Sequence, residues 1–163
     1  RMGDCEEEFE GYVSAEWYEG NANFSRDGNW GAYQSDESGV SRIYIHSFPN
    51  ITGQRSISPG GGTDPTWSPD GNKIYYRDGA QFLSVDLTFR PSFSVSAPKL
   101  LFEEGRYTRQ LAGGWVTNWD IHPNGEGFVV VTGTGAAGGL GGGLGEVHVV
   151  VNWFEELKAR TDG

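Results

Sequence analysis

A glycine pattern near the C-terminus has the spacing of a nucleotide-binding loop. Gly133, Gly135 and Gly138 follow the strand-like run "FVVVT" and fit G-x-G-x-x-G. A dinucleotide site needs a helix directly after that turn, with its N-terminus facing the pyrophosphate. Residues 135–145 contain seven glycines in eleven positions, so a helix there would cost about 7 kcal/mol at ~1 kcal/mol per glycine. We therefore expect a flexible loop at 133–145 that binds no cofactor; contact with a partner or with a copy of itself stays open.

The other residue types that commonly perform catalysis are scattered. His46, His122 and His148 are isolated and lack the H-E-x-x-H spacing of a zinc protease. Cys5 stands alone among acidic residues, which disfavours a reactive thiolate. The chain has no G-x-S-x-G nucleophile motif. The sequence thus predicts no catalytic residue, no metal site and no enzymatic activity.

Charge and hydropathy exclude two classes of partner. The 163 residues include 22 acidic and 12 basic side chains, for a formal net charge of −10. An acidic chain is repelled by phosphate backbones, so we expect no nucleic-acid partner. No apolar run approaches the ~20 residues of a membrane span, so we expect no membrane insertion. No signal peptide is visible in the sequence.

Three segments of the chain repeat one pattern. They are "NANFSRDGNWGAYQSD" from Asn21, "DPTWSPDGNKIYYRDG" from Asp64 and "NWDIHPNGEGFVVVTG" from Asn118. Each has an aromatic residue or isoleucine, two further residues, Asp-Gly or Asn-Gly, and then an apolar run. Such dipeptides between apolar runs are strong hairpin signals because glycine accepts a positive φ. The pattern predicts Asp27-Gly28, Asp70-Gly71 and Asn124-Gly125 as structural turn residues rather than metal ligands.

The repeat length favours a β-propeller. Gly28 and Gly71 are 43 residues apart, and Gly71 and Gly125 are 54 apart; a four-stranded blade takes about 40–45 residues. Apolar runs predict further strands within each repeat, among them "KIYYRD" (73–78) and "VSAPKLLF" (95–102) in the second repeat. We predict an all-β fold with blades of four antiparallel strands at about 21–60, 61–112 and 113–154. A β-sandwich also has many short strands, but it gives no reason for the repeated inner-strand motif.

The segments outside the repeats have their own patterns. Residues 1–10 are predicted to be an acidic, solvated tail. Residues 11–20 precede the first inner strand, where the outermost strand of an earlier blade belongs. Residues 153–160 are predicted to form a short closing helix, with Asn152 and Glu155 in a capping-box pattern.

The turn motifs resemble those of the TolB-type, WD-repeat-like β-propeller family. Ser68-Pro69-Asp70-Gly71 matches the family signature fully, whereas the first turn lacks the proline and the third departs at the Ser and Asp positions. The "GGGTDPTWSPDG" stretch and the ending "NWFEEL" resemble the C-terminal propeller part of bacterial transmembrane serine/threonine kinases. The resemblance implies a non-catalytic binding or scaffold module in the periplasm or outside the cell. The chain contains none of the motifs of a kinase lobe.

The blade count predicts self-association. Propellers ordinarily close with about 4–8 blades, and we count three, with an extra strand at 11–20 and no fourth strand in the last blade. We expect residues 11–17 of one chain to pair beside residues 147–153 of the next, in a six-bladed ring or a filament. The predicted strand-exchange interface comprises Tyr12, Val13, Trp17, Val147, Val149, Val151 and Trp153. One alternative is a fragment whose missing blades belong to a parent chain. Another is a ligand-sensing or accessory propeller of a larger enzyme, a receptor kinase or a peptidase, whose catalytic domain is not in this chain.

Overall fold

Twelve β-strands account for the regular structure in the described part of the chain. A computed structural model describes residues 16–103, 117–125, 127–132 and 146–151; for 131–132 and 146–151 it describes the backbone. The strands are β1 (Glu19–Phe24), β2 (Trp30–Ser35), β3 (Arg42–Ser47), β4 (Arg55–Ser56), β5 (Thr63–Trp67), β6 (Lys73–Asp78), β7 (Gln81–Thr88), β8 (Ser94–Val95), β9 (Lys99–Glu103), β10 (Trp119–Ile121), β11 (Gly127–Thr132) and β12 (Glu146–Val151). The described residues contain no helix, and therefore none long and apolar enough to cross a membrane.

The strands form three antiparallel sheets, one for each sequence repeat. The first sheet has the order β1-β2-β3-β4. The second has the order β5-β6-β7-β8, with β9 also paired to β7, and the third has the order β10-β11-β12. In each sheet consecutive strands are neighbours, as in a propeller blade, except that β8 and β9 both pair with β7. The predicted all-β fold of antiparallel blades is confirmed.

The repeated turns have nearly the same geometry in all three blades. The backbone N–H of Gly28 donates to the Ser25 carbonyl at 2.9 Å, and Gly71 donates to Ser68 at 2.9 Å. In the third blade Gly125 donates to His122 at 2.7 Å. The three glycines have φ values of +71°, +72° and +76°, so the predicted positive φ is present at each turn.

The apolar core lies between the blades rather than within one of them. One cluster joins the first and second blades and comprises Ala32, Ile43, Ile45, Ile57, Ile74, Tyr76, Val85 and Leu87. The other joins the second and third blades and comprises Phe82, Leu101, Trp119, Ile121, Phe128 and Val130. Alternate residues of a strand point to opposite faces of its sheet. The middle blade therefore buries both of its faces, and each junction fixes how one inner strand lies beside the next.

Two predicted boundaries differ from the structure. The first inner strand begins at Glu19, so residues 19–20 belong to it and not to a separate outer strand; residues 11–15 lie outside the described part. The run "VSAPKLLF", predicted as one strand, forms β8 and β9 with a break between them. Pro98 lies in that break and has no N–H to donate to a sheet ladder. The glycine-rich segment 133–145 and the predicted helix at 153–160 also lie outside the described residues.

Candidate functional site

The inner strands of the three blades surround a cavity of about 590 Å³. The three repeats contribute Asn23, Thr66 and Asp120 from the same position, one residue before the aromatic residue or isoleucine that precedes each turn. The strand register agrees with this equivalence, because these residues face Ala32, Tyr75 and Val129 across their ladders. The remaining lining residues are Phe24, Pro65, Trp67, Thr117, Asn118, Trp119 and Val129.

Two side chains of this cavity have a buried polar atom without a hydrogen-bond partner. Asn23 uses its Nδ2 to donate to the Pro65 carbonyl at 2.6 Å, but its Oδ1 accepts no hydrogen bond. Trp119 is 4% exposed, and its indole Nε1 has no acceptor. Both atoms have less than 1 Å² of accessible surface, so they are unpaired inside the protein and are not exposed to the cavity. Buried polar groups are ordinarily paired, so each exception calls for an explanation.

A buried carboxylate joins the inner strands beside this cavity. Asp64 is 1% exposed. Its Oδ1 accepts hydrogen bonds from Asn21 Nδ2 at 2.8 Å and Thr117 Oγ1 at 3.3 Å, and its Oδ2 accepts one from Thr63 Oγ1 at 3.1 Å. These donors come from the first blade, from Asp64's own strand and from the residues before β10. The Asp64 carboxylate is therefore held as a hydrogen-bond acceptor between blades.

Asn21 and Asp64 share an uncommon backbone conformation. Their φ values are +52° and +57°, and the ladder register shifts at both places, between Gly20 and Asn23 and between Thr63 and Thr66. Asn and Asp tolerate this left-handed region better than most residues do. The two bulges therefore place an amide and a carboxylate at the blade junction, where they bond to each other.

Equivalent residues of the second strands also reach the next blade. Gln34 Oε1 accepts a hydrogen bond from the backbone N–H of Asp64 at 3.2 Å. Arg77 occupies the same register position one blade later, and its Nη1 donates to Asn118 Oδ1 at 3.1 Å. The Arg77 guanidinium also lies 5.2 Å from the centre of the Phe82 ring. These contacts fix one blade against the next.

The turns border a second cavity, of about 380 Å³, between the first two blades. Its walls include Asp27, Asp70, Trp30 and Phe89, and the Trp30 and Phe89 ring centres are 5.0 Å apart. The Ser25 hydroxyl donates to Asp27 Oδ1 and thereby lowers the pKa of that carboxyl; Ser68 lowers the pKa of Asp70 in the same way. Both carboxylates also accept bonds from the asparagine two residues later. They therefore stabilise their own turns.

The residues of the predicted strand-exchange interface are only partly within the described chain. Trp17 is 53% exposed, just before β1. Val147, Val149 and Val151 belong to β12 and pair with Val131, Val129 and Gly127 of β11. Tyr12, Val13 and Trp153 lie outside the described residues. The structure does not bring the two halves of this interface together, and their pairing stays a prediction.

The three histidines lie in three different elements, two strands and a turn. His46 is buried in β3, while His122 lies in the third turn with Nδ1 at 2.6 Å from Asn124 Oδ1. His148 is in β12. In the described ranges, no three His, Cys, Asp or Glu side chains form a group able to hold a metal ion.

The polar residues that open each repeat were not among the predicted site residues. Asn21, Asp64 and Asn118 each lie three residues before Phe24, Trp67 or Ile121, and each takes part in a contact between blades. An amide or carboxylate at one position in all three repeats was a visible signal for a shared structural role. Gln34 and Arg77, which bond to Asp64 and Asn118, are of different residue types, so comparison of the repeats did not indicate a shared role for them.

Comparisons with known proteins give a structural neighbour of low sequence identity. No protein-family model matches the chain, and a search of curated proteins finds no match. Among solved structures the chain is similar to TolB from Acinetobacter baumannii, with a TM-score of 0.48 and 18% sequence identity. The match covers 82% of this chain and 32% of the TolB chain, so this chain spans about a third of that protein's length. The blade topology defines the class: an all-β chain of antiparallel propeller blades.

Proposed function

We propose that the chain is a non-catalytic propeller module that acts through protein–protein contacts, and that its partner is a further copy of itself. One observation carries this proposal. The outer edge of β3 is paired by β4, and the outer edge of β7 is paired by β8 and β9. In the described chain β12 pairs with β11 alone, so the corresponding edge of the third blade takes no strand there.

An open strand edge favours the addition of another strand. β12 is six residues long, and alternate residues present both their backbone N–H and their C=O to the edge that no described strand pairs with. A strand added to this edge would restore the four-strand blade seen in the first sheet. Strand addition through main-chain hydrogen bonds is a common form of protein recognition.

Residues 11–17 of a second copy are the proposed occupant. They precede β1 in the sequence, and the exposed Trp17 ends the segment. Pairing of this segment with β12 of a neighbour would join three blades of each chain head to tail. Two chains would then make six blades, within the ~4–8 of known propellers; a rotation that does not close would give a filament.

Light scattering coupled to size exclusion tests the proposal on the full chain. We expect a folded species well above the chain mass of 17.8 kDa. Deletion of residues 1–15 removes most of the proposed exchange segment but keeps β1 and the 2.9 Å hydrogen bond from the Tyr18 backbone N–H to Asp36 Oδ1. This variant should be monomeric. Deletion of residues 1–10 is the matched control and should still assemble.

Two results would contradict self-assembly. A folded, monodisperse full chain at 17.8 kDa would exclude it under the conditions used. An assembly that survives deletion of residues 1–15 would exclude strand exchange as its basis. A monomer would favour the alternative function, in which the chain is the accessory propeller of a larger protein such as a receptor kinase or a peptidase.

An extracytoplasmic location, periplasmic or extracellular, forms part of the proposal. It is supported by the resemblance of the Ser68–Gly71 turn to the TolB-type repeat. Fractionation of cells that produce the parent protein, with detection of this segment by an antibody, tests it. Recovery in the cytoplasm alone would refute the assignment.

A further inference from the structure

We propose that the cavity between the turns of the first two blades binds the guanidinium group of an arginine side chain from a partner protein. Asp27 and Asp70 pair with its charge, while Trp30 and Phe89 provide aromatic walls. The proposal is independent of strand exchange, because this turn cavity is lined by two blades of one chain and by no residue of β12.

The two carboxylates of the turn cavity are accessible and have no cationic partner in the described chain. Asp27 and Asp70 are exposed, and neither forms an ion pair with a described residue. In each of them Oδ1 accepts two hydrogen bonds, whereas Oδ2 accepts one, from Asn29 or from Asn72. A carboxylate oxygen has two lone pairs, so each Oδ2 can accept a further bond. The donors are all uncharged, and both negative charges therefore remain available to a cation.

The third repeat shows that the turn does not require a negative charge. Asn124 occupies the position of Asp27 and Asp70, yet Gly125 keeps a φ of +76° and donates to His122 as its counterparts do in the other turns. The cavity is bordered by the two turns that carry aspartate and not by the third. The carboxylates therefore coincide with the cavity rather than with the turn geometry.

The aromatic walls suit a planar cation. Trp30 and Phe89 are half-buried, with ring centres 5.0 Å apart. Phe93 stacks on Trp30 at 4.9 Å, and the Arg55 guanidinium lies 4.9 Å from the centre of the Phe93 ring. This aromatic cluster thus already holds one guanidinium by a cation–π contact. A guanidinium can stack on a ring while its N–H groups donate to carboxylates, and a cavity of about 380 Å³ is large enough for one side chain.

Arg26 provides a test of the sign of the charge effect. It is exposed and is the one basic residue of the lining, where two aspartates and one arginine leave a formal charge of −1. Its own guanidinium repels a cationic ligand. Arg26→Gln should therefore bind the arginine probe about twofold more tightly. Weaker binding by this variant would show that the ligand is held as an anion or through its carbonyl groups, and would overturn the proposal.

Saturation-transfer NMR tests the proposal on the full chain, because it detects the ligand and serves a monomer and a large assembly alike. The probe is N-acetylarginine N-methylamide. Its matched control is the citrulline derivative, which has nearly the same shape without the positive charge and should bind about tenfold more weakly. The lysine derivative should also bind more weakly, since an ammonium is a point charge without a planar face. Methylguanidinium has the cation without the rest of the side chain and should bind more weakly than the probe.

Three variants locate the binding. Asp27→Asn and Asp70→Asn each remove one charge partner and should weaken binding of the probe about threefold. Both are expected to fold, because asparagine occupies this position in the third turn. Asp120→Asn is the matched control: it removes the same charge from the cavity between the inner strands and should leave the affinity unchanged.

Four outcomes would overturn the proposal. Equal affinity for the arginine and citrulline derivatives would exclude a charge-dependent contact, and equal affinity for the lysine derivative would show a general cation site. Binding of methylguanidinium as tight as that of the probe would assign the cavity to a small guanidinium compound. An equal loss in Asp120→Asn would show an effect of overall charge. If a variant does not fold, the four ligands compared on the unchanged chain still decide.

Discussion

Replacement of Gly71 by alanine tests whether the repeated turn depends on its backbone conformation. Gly71 has φ +72°, and a Cβ added there would meet no atom within 4 Å, so steric contact contributes nothing. A left-handed conformation costs an L-residue about 1–2 kcal/mol. Alanine also has less conformational freedom than glycine in the unfolded chain, which stabilises the folded state by about 0.4–1 kcal/mol. We therefore expect Gly71→Ala to lower the free energy of unfolding by roughly 1 kcal/mol.

Chemical denaturation measures this effect at one fixed protein concentration, because the proposed association would make stability concentration-dependent. Gly60→Ala is the matched control, because Gly60 lies outside the left-handed region and its added Cβ would make an ordinary 3.6 Å contact with Asp78 Oδ2. The control should be neutral or more stable by about 0.4–1 kcal/mol. Equal denaturation midpoints for Gly71→Ala and Gly60→Ala would refute the reasoning.

Two further changes test polar groups of the blades. Ser68→Ala removes the hydroxyl that donates to Asp70, so the pKa of Asp70 should rise toward its ordinary value, as followed by its carboxyl ¹³C shift. Because the pKa of Asp70 is lower in the folded than in the unfolded state, its ionised form stabilises the folded protein, and this stabilisation disappears on acidification. The difference in unfolding free energy between wild type and Ser68→Ala should therefore shrink below about pH 4. Asp64→Ala removes the acceptor of Asn21 and Thr117 and leaves alanine at φ +57°, so it should cost about 2–4 kcal/mol of unfolding free energy. Asp64→Asn keeps an acceptor and tolerates that φ, and should cost about 1 kcal/mol or less; equal losses for the two variants would contradict this account.

The strands and turns were predictable because their signals are local. The run from Lys73 to Asp78 was predicted with the bounds that β6 has, since Ile74, Tyr75 and Tyr76 favour a strand and Asp-Gly turns lie at both of its ends. The glycines at 28, 71 and 125 were predicted because a tight hairpin requires φ > 0 within a few residues of sequence. Each of these features is determined by neighbours in the chain.

The cavity could not be predicted, because its contacts join residues of different repeats. Asp64 bonds to residues 43 positions before it and 53 positions after it. Such contacts depend on how far one blade is rotated against the next, which the packing of the intervening core decides. The unpaired Nε1 of Trp119 gave no sequence signal either, since an apolar pattern predicts burial of the ring but not the fate of its N–H.

The contacts between blades also indicate how a further strand or blade can join the third one. Apolar side chains of one blade face can pack against many others, so polar contacts, among them those of Gln34 and Arg77, help to distinguish one junction from another. In the third repeat the same register position is occupied by Val131, a residue type without hydrogen-bonding groups. A blade packed against the third one would therefore not be selected through this position. Backbone pairing along β12 requires no particular side chain, and for that reason the association we propose at this edge is strand exchange.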